Sequence, residues 1–334
     1  MEALAAEPLS VGVVGLGHWG PNLARNFDEL PGVRLTWLCD REQDRLERYP
    51  ARFPDARRSV RFEDVLADES LAAVAIATPV VTHFELAREA LLAGKHVFVE
   101  KPLALSSTLA EQLIALAEER GLVLLPGHLL LYHPGVAKLK ELVASGDLGR
   151  LLYVYGNRQN LGQIRRDENA LWSLGAHDLS VILHLVEEEP IEAWARGESF
   201  LNPGVEDVVF CYLRFPSGVV AHMHLSWLDP HKMRRMTVVG DRKMAVFDDM
   251  ELERKVTVYD KGPEQRADTY GEWQTRTGDI SIPKVANDEP LRLECEHFLT
   301  LLRGDGDRFR AARDGLAVVR ALEQLQASLE REKV

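Results

Sequence analysis

The first 125 residues alternate short apolar segments with amphipathic stretches, and this alternation constrains the fold more than any other feature. The apolar segments are rich in Val, Ala and Ile; they are Val11–Val14, Leu35–Cys39, Ala72–Ile76, His96–Val99 and Val123–Leu125. The intervening stretches resemble helices; they are Trp19–Glu29, Arg41–Tyr49, His83–Ala93 and Leu109–Arg120. Buried strands that alternate with helices are typical of a parallel sheet covered on both faces. We therefore predict an α/β domain over residues 1–126.

After residue 126 strand-like segments follow one another directly. A helix is predicted at Val136–Ser145, and the strands are Leu151–Tyr155, Glu192–Ser199, Val208–Phe215, Val219–Trp227, Met236–Gly240, Lys243–Asp248 and Lys255–Tyr259. The polar segment 260–288 is predicted to be a long loop, and helices at Pro290–Arg303 and Arg313–Glu330 close the chain. Successive strands indicate a second domain over residues 127–334, of α+β class with a mainly antiparallel sheet.

Composition excludes several classes of protein. The 334 residues carry 40 Lys+Arg and 52 Asp+Glu, a net charge of −12, which argues against non-specific binding to nucleic acid or anionic membrane. The three cysteines, Cys39, Cys211 and Cys295, match neither a disulfide framework nor a zinc spacing. The first residues show no secretory signal. We therefore expect a cytoplasmic protein without a metal site.

A glycine-rich loop, Gly15-Leu16-Gly17-His18-Trp19-Gly20, joins the first strand to the first helix. In a G-x-G-x-x-G loop the first glycine allows a tight turn, the second lets the backbone approach a pyrophosphate and the third lets the helix pack on the strand. Amides at the helix N-terminus then face the phosphates. A structural glycine turn would explain the motif alone, but its position between strand and helix favours dinucleotide binding. We expect Trp19 to contact the cofactor, and His18 to lie on the phosphate side of this loop or to pack against it.

An acidic residue, Asp40, ends the second predicted strand about 20 residues after the glycine loop. At this position a carboxylate binds the ribose 2′-hydroxyl of NAD and repels the 2′-phosphate of NADP. Asp40 could instead cap a helix. The neighbouring Arg41 leaves NADP open, because an arginine can accommodate that phosphate. We therefore predict NAD as the cofactor, with NADP as the alternative.

Two more loops follow the carboxyl ends of predicted strands, where open α/β sheets bind ligands. They contain the expected cofactor contacts Thr78, Pro79, His83, Glu100, Lys101 and Pro102. Lys101 ends an apolar run, and its ammonium could hydrogen-bond a substrate hydroxyl and help to remove its proton. A surface lysine with a solvated tip is the alternative.

The chain resembles the glucose–fructose oxidoreductase / inositol dehydrogenase / rhizopine catabolism (Gfo/Idh/MocA) oxidoreductases. The resemblance rests on the glycine loop, Ala77-Thr78-Pro79 with His83, Ala93–Pro102 and Leu174-Gly175-Ala176-His177-Asp178. It implies a Rossmann domain followed by an open-faced α+β domain. It also implies that Lys101 and His177 act at the reacting carbon and that a cis bond precedes Pro102. The chain departs from the family at Ser173, where an acidic residue is common.

A narrower similarity, over Arg158–Gly162, Asp167–Trp172 and His177-Asp178, is to the nucleotide-sugar dehydrogenase branch. That branch acts on substrates such as UDP-N-acetylglucosaminuronate, at the third carbon, in surface-polysaccharide synthesis. The chemistry of the side chains agrees: arginines bind pyrophosphate or carboxylate, asparagines bind hydroxyls and a tryptophan covers a sugar face. The expected substrate contacts are Lys101, Arg158, Asn160, Arg165, Asn169, Trp172, His177 and Asp178. Solvated loop residues, or a helix cap at Asp178, are the alternatives.

Taken together, these features predict an NAD-dependent dehydrogenase or ketoreductase for a sugar ring hydroxyl. A neutral His177 would accept the hydroxyl proton and return it in the reverse direction. An inositol or free-sugar dehydrogenase and a non-catalytic NAD(P)-binding regulator are the alternatives. His222 and His224 share one strand face, which suits an interface or a solvated face better than a metal. We expect a homodimer or homotetramer that covers the second domain's sheet.

Overall fold

The computed structural model describes residues 8–49, 51–162, 164–166, 168–265 and 272–331. The chain divides into two compact units. The first unit extends to Leu129 and includes Glu289–Val319; the second comprises Leu130–Asp288 and the residues from Arg320 onward. Within the described ranges no helix has the length and apolar character needed to cross a membrane.

The first unit contains a six-stranded parallel sheet in the order β3-β2-β1-β4-β5-β6. Its strands are β1 (Leu9–Val14), β2 (Val33–Cys39), β3 (Arg57–Ser59), β4 (Ala73–Ile76), β5 (His96–Glu100) and β6 (Leu124–Gly127). Its first helices are α1 (Gly20–Glu29), α2 (Gln43–Leu46), α3 (Phe62–Leu66), α4 (His83–Leu92) and α5 (Ser107–Arg120). Every residue of β4 is buried, as expected of a strand covered on both faces. The strand order reverses between β1 and β4, so ligands of this fold bind beyond the carboxyl ends of these strands.

The second unit contains an eight-stranded sheet in the order β14-β13-β12-β11-β7-β10-β9-β8. Its strands are β7 (Leu151–Gln159), β8 (Glu192–Glu198), β9 (Val208–Arg214), β10 (Val220–Ser226), β11 (Met233–Gly240), β12 (Met244–Asp248), β13 (Val256–Gln265) and β14 (Trp273–Ser281). Helices α6 (Pro134–Ala144) and α7 (Ala176–Val186) belong to this unit. All pairings are antiparallel except that of β7 with β10. The predicted fold class, a Rossmann domain followed by a mainly antiparallel α+β domain, is confirmed.

The predicted long loop at 260–288 is wrong. Strand β13 continues to Gln265, and β14 pairs with it from Trp273 to Ser281. Almost all of β14 is exposed, so it lacks the alternation of apolar and polar residues by which a strand is recognised. Its pairing depends on main-chain hydrogen bonds to β13.

The predicted boundary between the domains also needs correction. Helix α8 (Pro290–Leu302) belongs to the first unit, and α9 (Arg310–Arg331) contributes residues to both. The reason is aromatic packing: Phe298 of α8 lies edge-on to Phe27 and Phe98, with ring centroids 6.2 Å and 5.8 Å away. Residues 127–334 are therefore not one contiguous domain, because the chain returns to complete the core of the first unit.

This packing predicts a large loss of stability on removing the Phe298 ring. Phe298→Ala should lower the free energy of unfolding by about 3–5 kcal/mol, because a buried ring leaves a cavity. Phe200→Ala is the control, because that ring is 67% exposed in the segment between β8 and β9. Urea unfolding measures the free energy of unfolding of both variants. An equally small decrease in the two would contradict the placement of α8.

Candidate active site

The glycine loop leaves space for a ligand at one of its three glycines. Gly15 has φ +91°, and a Cβ there would lie 2.7 Å from the Ala77 carbonyl oxygen; a Cβ on Gly20 would overlap the Gly15 carbonyl oxygen. The fold itself therefore requires these two glycines. At Gly17 the nearest atom to an added Cβ is Nη1 of Arg45, 3.7 Å away. Packing does not require glycine there, whereas close approach of a pyrophosphate does.

The N-terminus of α1 lies at the same place. Trp19 occupies the N-cap position without a capping side chain, Pro21 has no N–H, and the Asn22 N–H already donates to the Trp19 carbonyl oxygen at 2.9 Å. The Gly20 N–H and the dipole of this ten-residue helix are therefore what favour an anion here. The loop geometry and the α1 terminus therefore fit the phosphates of a dinucleotide.

Asp40 links the end of β2 to the glycine loop. Its Oδ2 accepts a hydrogen bond of 2.7 Å from the Leu16 N–H, and its Oδ1 accepts one of 2.9 Å from the Glu42 N–H. Asp40 does not cap α2, because Glu42 occupies that N-cap position. Each carboxylate oxygen has two lone pairs, so capacity for ribose hydroxyls remains. Arg41 is exposed, and Nη1 of Arg45 lies 3.4 Å from Asp40 Oδ2.

His83 connects the two loops that follow β4 and β5. Its Nε2 lies 2.9 Å from the Thr78 carbonyl oxygen and its Nδ1 2.9 Å from that of Pro102. Burial lowers the pKa of this imidazole, although both carbonyls raise it. Because both ring nitrogens contact main-chain oxygens, His83 holds the loops of Thr78, Pro79 and Pro102 together. The expected cis bond between Lys101 and Pro102 is present.

Buried ionisable groups that the sequence analysis did not single out surround Glu100 and Lys101. Burial raises the pKa of Glu100 to about 7, while Lys101 and a side-chain hydrogen bond from Trp19 lower it. Glu294 of α8 is almost fully buried; burial and the charge of Glu100 raise its pKa. His128 is buried too, and neither ring nitrogen has a hydrogen-bond partner among the described residues. Sequence gave no signal for Glu294, because α8 reaches this place only through tertiary packing.

In the second unit Arg158 is paired with Asp178. Nε and Nη2 of Arg158 both donate to Asp178 Oδ1, at 2.8 Å each, and both side chains are buried. A Cβ on Gly156 would lie 2.8 Å from Asp178 Oδ2, so glycine on β7 makes room for this carboxylate. The ion pair therefore fastens α7 to β7. It leaves His177, one residue earlier, half-buried in the first turn of α7.

A second charge pair lies beside it. Arg234 stands directly opposite Arg158 in the β7–β11 register, and its Nη1 is 3.6 Å from Asp249 Oδ2. Asp249 Oδ1 lies 3.5 Å from Nε2 of His133, and these contacts lower the pKa of Asp249 to about 2. The sequence carries no signal for Arg234, because strand register decides which residues stand opposite one another. Two arginines thus share one face of the sheet near the start of α7.

The remaining predicted substrate residues have different environments. Arg165 is exposed, and its Nη1 donates to Glu168 Oε1 at 2.8 Å; Asn160 is half-buried. Asn169 is buried and hydrogen-bonded to protein groups, and Trp172 lies in a π-helical turn, Leu171–Gly175. Asp167, part of the narrower sequence similarity, lies outside the described residues.

His222 and His224 are stacked on aromatic rings. His222 lies against Tyr155, with centroids 4.9 Å apart, and His224 against Phe210 at 4.4 Å. The part of the chain that the structure describes contains no group of three or more His, Cys, Asp or Glu side chains arranged to hold a metal ion.

Comparison with known proteins assigns the two units. Residues 9–128 match the family model described as "Oxidoreductase family, NAD-binding Rossmann fold", and residues 136–246 match the "GFO/IDH/MocA C-terminal domain". UDP-N-acetylglucosamine 3-dehydrogenase of Acidithiobacillus ferrooxidans is 27% identical over 323 residues, covering 96% of this chain and 97% of that protein.

Two solved structures extend the similarity over almost the whole chain. A protein described as an oxidoreductase, from Magnetospirillum magnetotacticum, has a TM-score of 0.81 and 31% identity, over 96% of this chain and 100% of that one. GenD2 from gentamicin A biosynthesis, solved in complex with NAD, has a TM-score of 0.82 and 25% identity, over 99% and 96%.

The Rossmann sheet, the glycine loop and Asp40 define an NAD(P)-binding domain, and the residues present fit that cofactor. The chain belongs to the Gfo/Idh/MocA oxidoreductases. It is therefore an NAD(P)-dependent dehydrogenase of that family.

The burial of His128 predicts sensitivity to acid. Burial, with the charge of Lys101, lowers the pKa of His128 from 6.5 to about 4. The unfolded chain takes up this proton as the pH falls through 6.5, whereas the folded chain does so only near 4. Stability is therefore lost progressively across this range, by up to about 3 kcal/mol.

His128→Leu should remove that part of the acid sensitivity. Urea unfolding at pH 7, 5.5 and 4.5 measures the free energy of unfolding. As the pH falls, this free energy should decrease less in His128→Leu than in the unmodified protein. His231→Leu, at an exposed histidine, is the control and should follow the unmodified protein. If the free energy of unfolding decreased equally with falling pH in all three proteins, the buried, neutral state of His128 would be contradicted.

Proposed function

We propose that the protein oxidises a ring hydroxyl of a nucleotide-linked sugar, with UDP-N-acetylglucosaminuronate oxidised at its third carbon as the leading candidate. The observation that carries the substrate class and the third carbon is similarity over 96% of the chain to UDP-N-acetylglucosamine 3-dehydrogenase. The uronate rests on the resemblance of Arg158–Gly162, Asp167–Trp172 and His177-Asp178 to the nucleotide-sugar branch. The reverse reaction, reduction of the ketone, uses the same groups.

NAD is the proposed cofactor. Asp40 is buried at the end of β2, where its carboxylate would repel a 2′-phosphate. Arg41 and Arg45 lie nearby and could accommodate the 2′-phosphate of NADP. The activity test therefore uses both cofactors. The NAD bound to GenD2 agrees with this proposal.

The proposed chemistry divides between cofactor and protein. When bound, the nicotinamide supplies the redox chemistry by exchanging a hydride with the substrate carbon. Lys101 Nζ is proposed to hydrogen-bond the reacting hydroxyl, and a ring nitrogen of His177 to accept its proton. Glu100, with a pKa near neutrality, makes the charge beside Lys101 depend on pH in the working range. Each role rests on the residue's position within its own unit and on the family resemblance.

The proposed substrate contacts are fewer than the sequence suggested. Arg165, Asn160 and the face of the Trp172 ring remain candidates, because the first is exposed and the others half-buried. Arg158 and Asp178 bind each other, so we propose that this pair supports the site and does not contact the sugar. Arg234, whose side chain is 40% exposed, is the proposed second cation for an anionic group.

The test follows absorbance at about 340 nm after purified protein is mixed with NAD⁺ or NADP⁺ and a substrate panel. The panel contains UDP-N-acetylglucosaminuronate, UDP-N-acetylglucosamine, myo-inositol and glucose. A rise with NAD⁺ and a nucleotide sugar, including a single-turnover burst, is the expected result. A rise only with inositol or glucose would move the protein to a polyol or free-sugar dehydrogenase. No absorbance change with any substrate, while NAD binding is retained in calorimetry, would support a non-catalytic regulator.

Lys101→Met and His177→Asn identify the groups that act in this reaction. Each should lower kcat by roughly 100-fold or more while NAD still binds, because each removes a proton-transfer partner. Lys138→Met is the matched control, since Lys138 on α6 pairs with Glu141 and has no proposed role in the reaction. Full turnover by Lys101→Met would exclude the proposed role of Lys101.

We also propose that a second copy of the chain covers the uncovered face of the second unit's sheet, giving a homodimer or homotetramer. On this face Trp194 stacks on Tyr212, with centroids 5.6 Å apart, and His224 stacks on Phe210. Trp194 and Phe210 are 42% and 49% exposed, a large apolar area for a solvated surface.

Sedimentation analysis tests this proposal. The unmodified protein should sediment as a multiple of 37.5 kDa. Phe210→Glu should shift it towards monomer, because the interface would bury an unpaired charge. A monomeric unmodified protein would exclude the proposal.

A further inference from the structure

His177 follows directly after a π-helical turn. The turn comprises Leu171–Gly175, and α7 begins at Ala176, so His177 is the second residue of that helix. A π turn holds one residue more per hydrogen-bonded ring than an α-helix. Since an α-helix advances about 100° per residue, loss of the extra residue would rotate His177 by roughly that angle. The direction of the imidazole therefore depends on keeping this turn.

Asn169 fixes the start of the π turn with all of its amide groups. Its Oδ1 accepts a hydrogen bond of 3.1 Å from the Trp172 N–H. Its Nδ2 donates to Glu206 Oε2 at 2.7 Å and to Gln326 Oε1 at 2.9 Å. The Ala170 N–H also donates to the Glu206 carbonyl oxygen, at 2.9 Å. A buried amide with both donor and acceptor satisfied is rigid, and this one has no donor left for a sugar hydroxyl.

Gln326 holds the same turn from a distant part of the chain. It lies on α9, 157 residues after Asn169. Its Oε1 accepts both from Asn169 Nδ2 and from Trp172 Nε1, the latter at 3.2 Å. Its Nε2 donates to Glu330 Oε1 at 3.1 Å. This hydrogen bond orients the side-chain amide so that Oε1, and not Nε2, faces the turn. One oxygen therefore links Asn169, two residues before the π turn, to the Trp172 indole inside it.

We propose that Asn169 and Gln326 are positioning residues for His177: their side-chain pair holds the π turn that aims the imidazole, and it also fixes the plane of the Trp172 indole. This assigns Asn169 to the support of the site, where the sequence suggested a substrate contact. The inference deepens the proposed function and, for its kinetic part, rests on it. Neither residue is required to touch the substrate.

The kinetic test compares Gln326→Leu with Gln324→Leu. Both replace a glutamine on α9, but Gln324 is exposed and makes no hydrogen bond to the turn among the described residues. Gln326→Leu should lower kcat by about 10- to 100-fold, as expected when a reacting group is misplaced by about 1 Å. NAD affinity should not change, and the sugar KM should change less than kcat, because the Trp172 ring is one proposed sugar contact among several. A kcat equal to that of the Gln324→Leu control would overturn the proposal.

A second measurement needs no substrate. The imidazole NMR signal of His177 is assigned by its loss in His177→Asn, and is then followed in both glutamine variants. We expect it to shift in Gln326→Leu and to stay unchanged in Gln324→Leu, with both variants folded by circular dichroism. An unchanged His177 signal in Gln326→Leu would overturn the proposal. If the signal moves while every sugar on the panel fails, the proposed function is wrong and the positioning role stands.

Discussion

The close approach of α1 to β1 is the constraint on which the cofactor site depends. No side chain fits at Gly15 or Gly20, because a Cβ would meet the main-chain oxygens of Ala77 or Gly15. This packing brings the α1 amides to the carboxyl edge of the parallel sheet, at the point where the strand order reverses. The Asp40 carboxylate then holds the loop through the Leu16 N–H. Phosphate binding by this fold follows from backbone geometry more than from charged side chains.

Both units contain buried carboxylates whose burial is incompletely compensated. In the second unit the Arg158–Asp178 ion pair joins α7 to β7, but burial still raises the pKa of Asp178, and its Oδ2 has no hydrogen-bond partner among the described residues. In the first unit the carboxyls of Glu100 and Glu294 have raised pKa values, and Glu100 Oε1 and Glu294 Oε1 have no hydrogen-bond partner among the described residues. Incompletely compensated groups of this kind cluster at functional sites, and these lie beside Lys101.

The sequence predicted the first unit well because its strands are buried on both faces. Continuous apolar runs such as Ala73–Ile76 mark such strands clearly, and helices between them follow from spacing. It failed at β14, whose exposed residues carry no alternation, and at α8, which the chain order assigns to the wrong unit. In the site, motif and strand position singled out Gly15, Gly17, Gly20, Asp40 and His83, and their contacts with a cofactor stay predictions. The sequence could not distinguish an arginine that binds a ligand from one paired with Asp178.

Sequence by itself determined the fold class, the dinucleotide-binding loop and the family, because glycine spacing and strand periodicity are local properties. Tertiary structure decided which polar residues are already engaged: Asn169 with Gln326, Arg158 with Asp178, and His83 between two carbonyls. Those partners are 157, 20 and 5 to 19 residues apart in the chain. Hydrogen bonding and burial at such separations depend on how helices and strands pack, and one sequence carries no direct record of that packing.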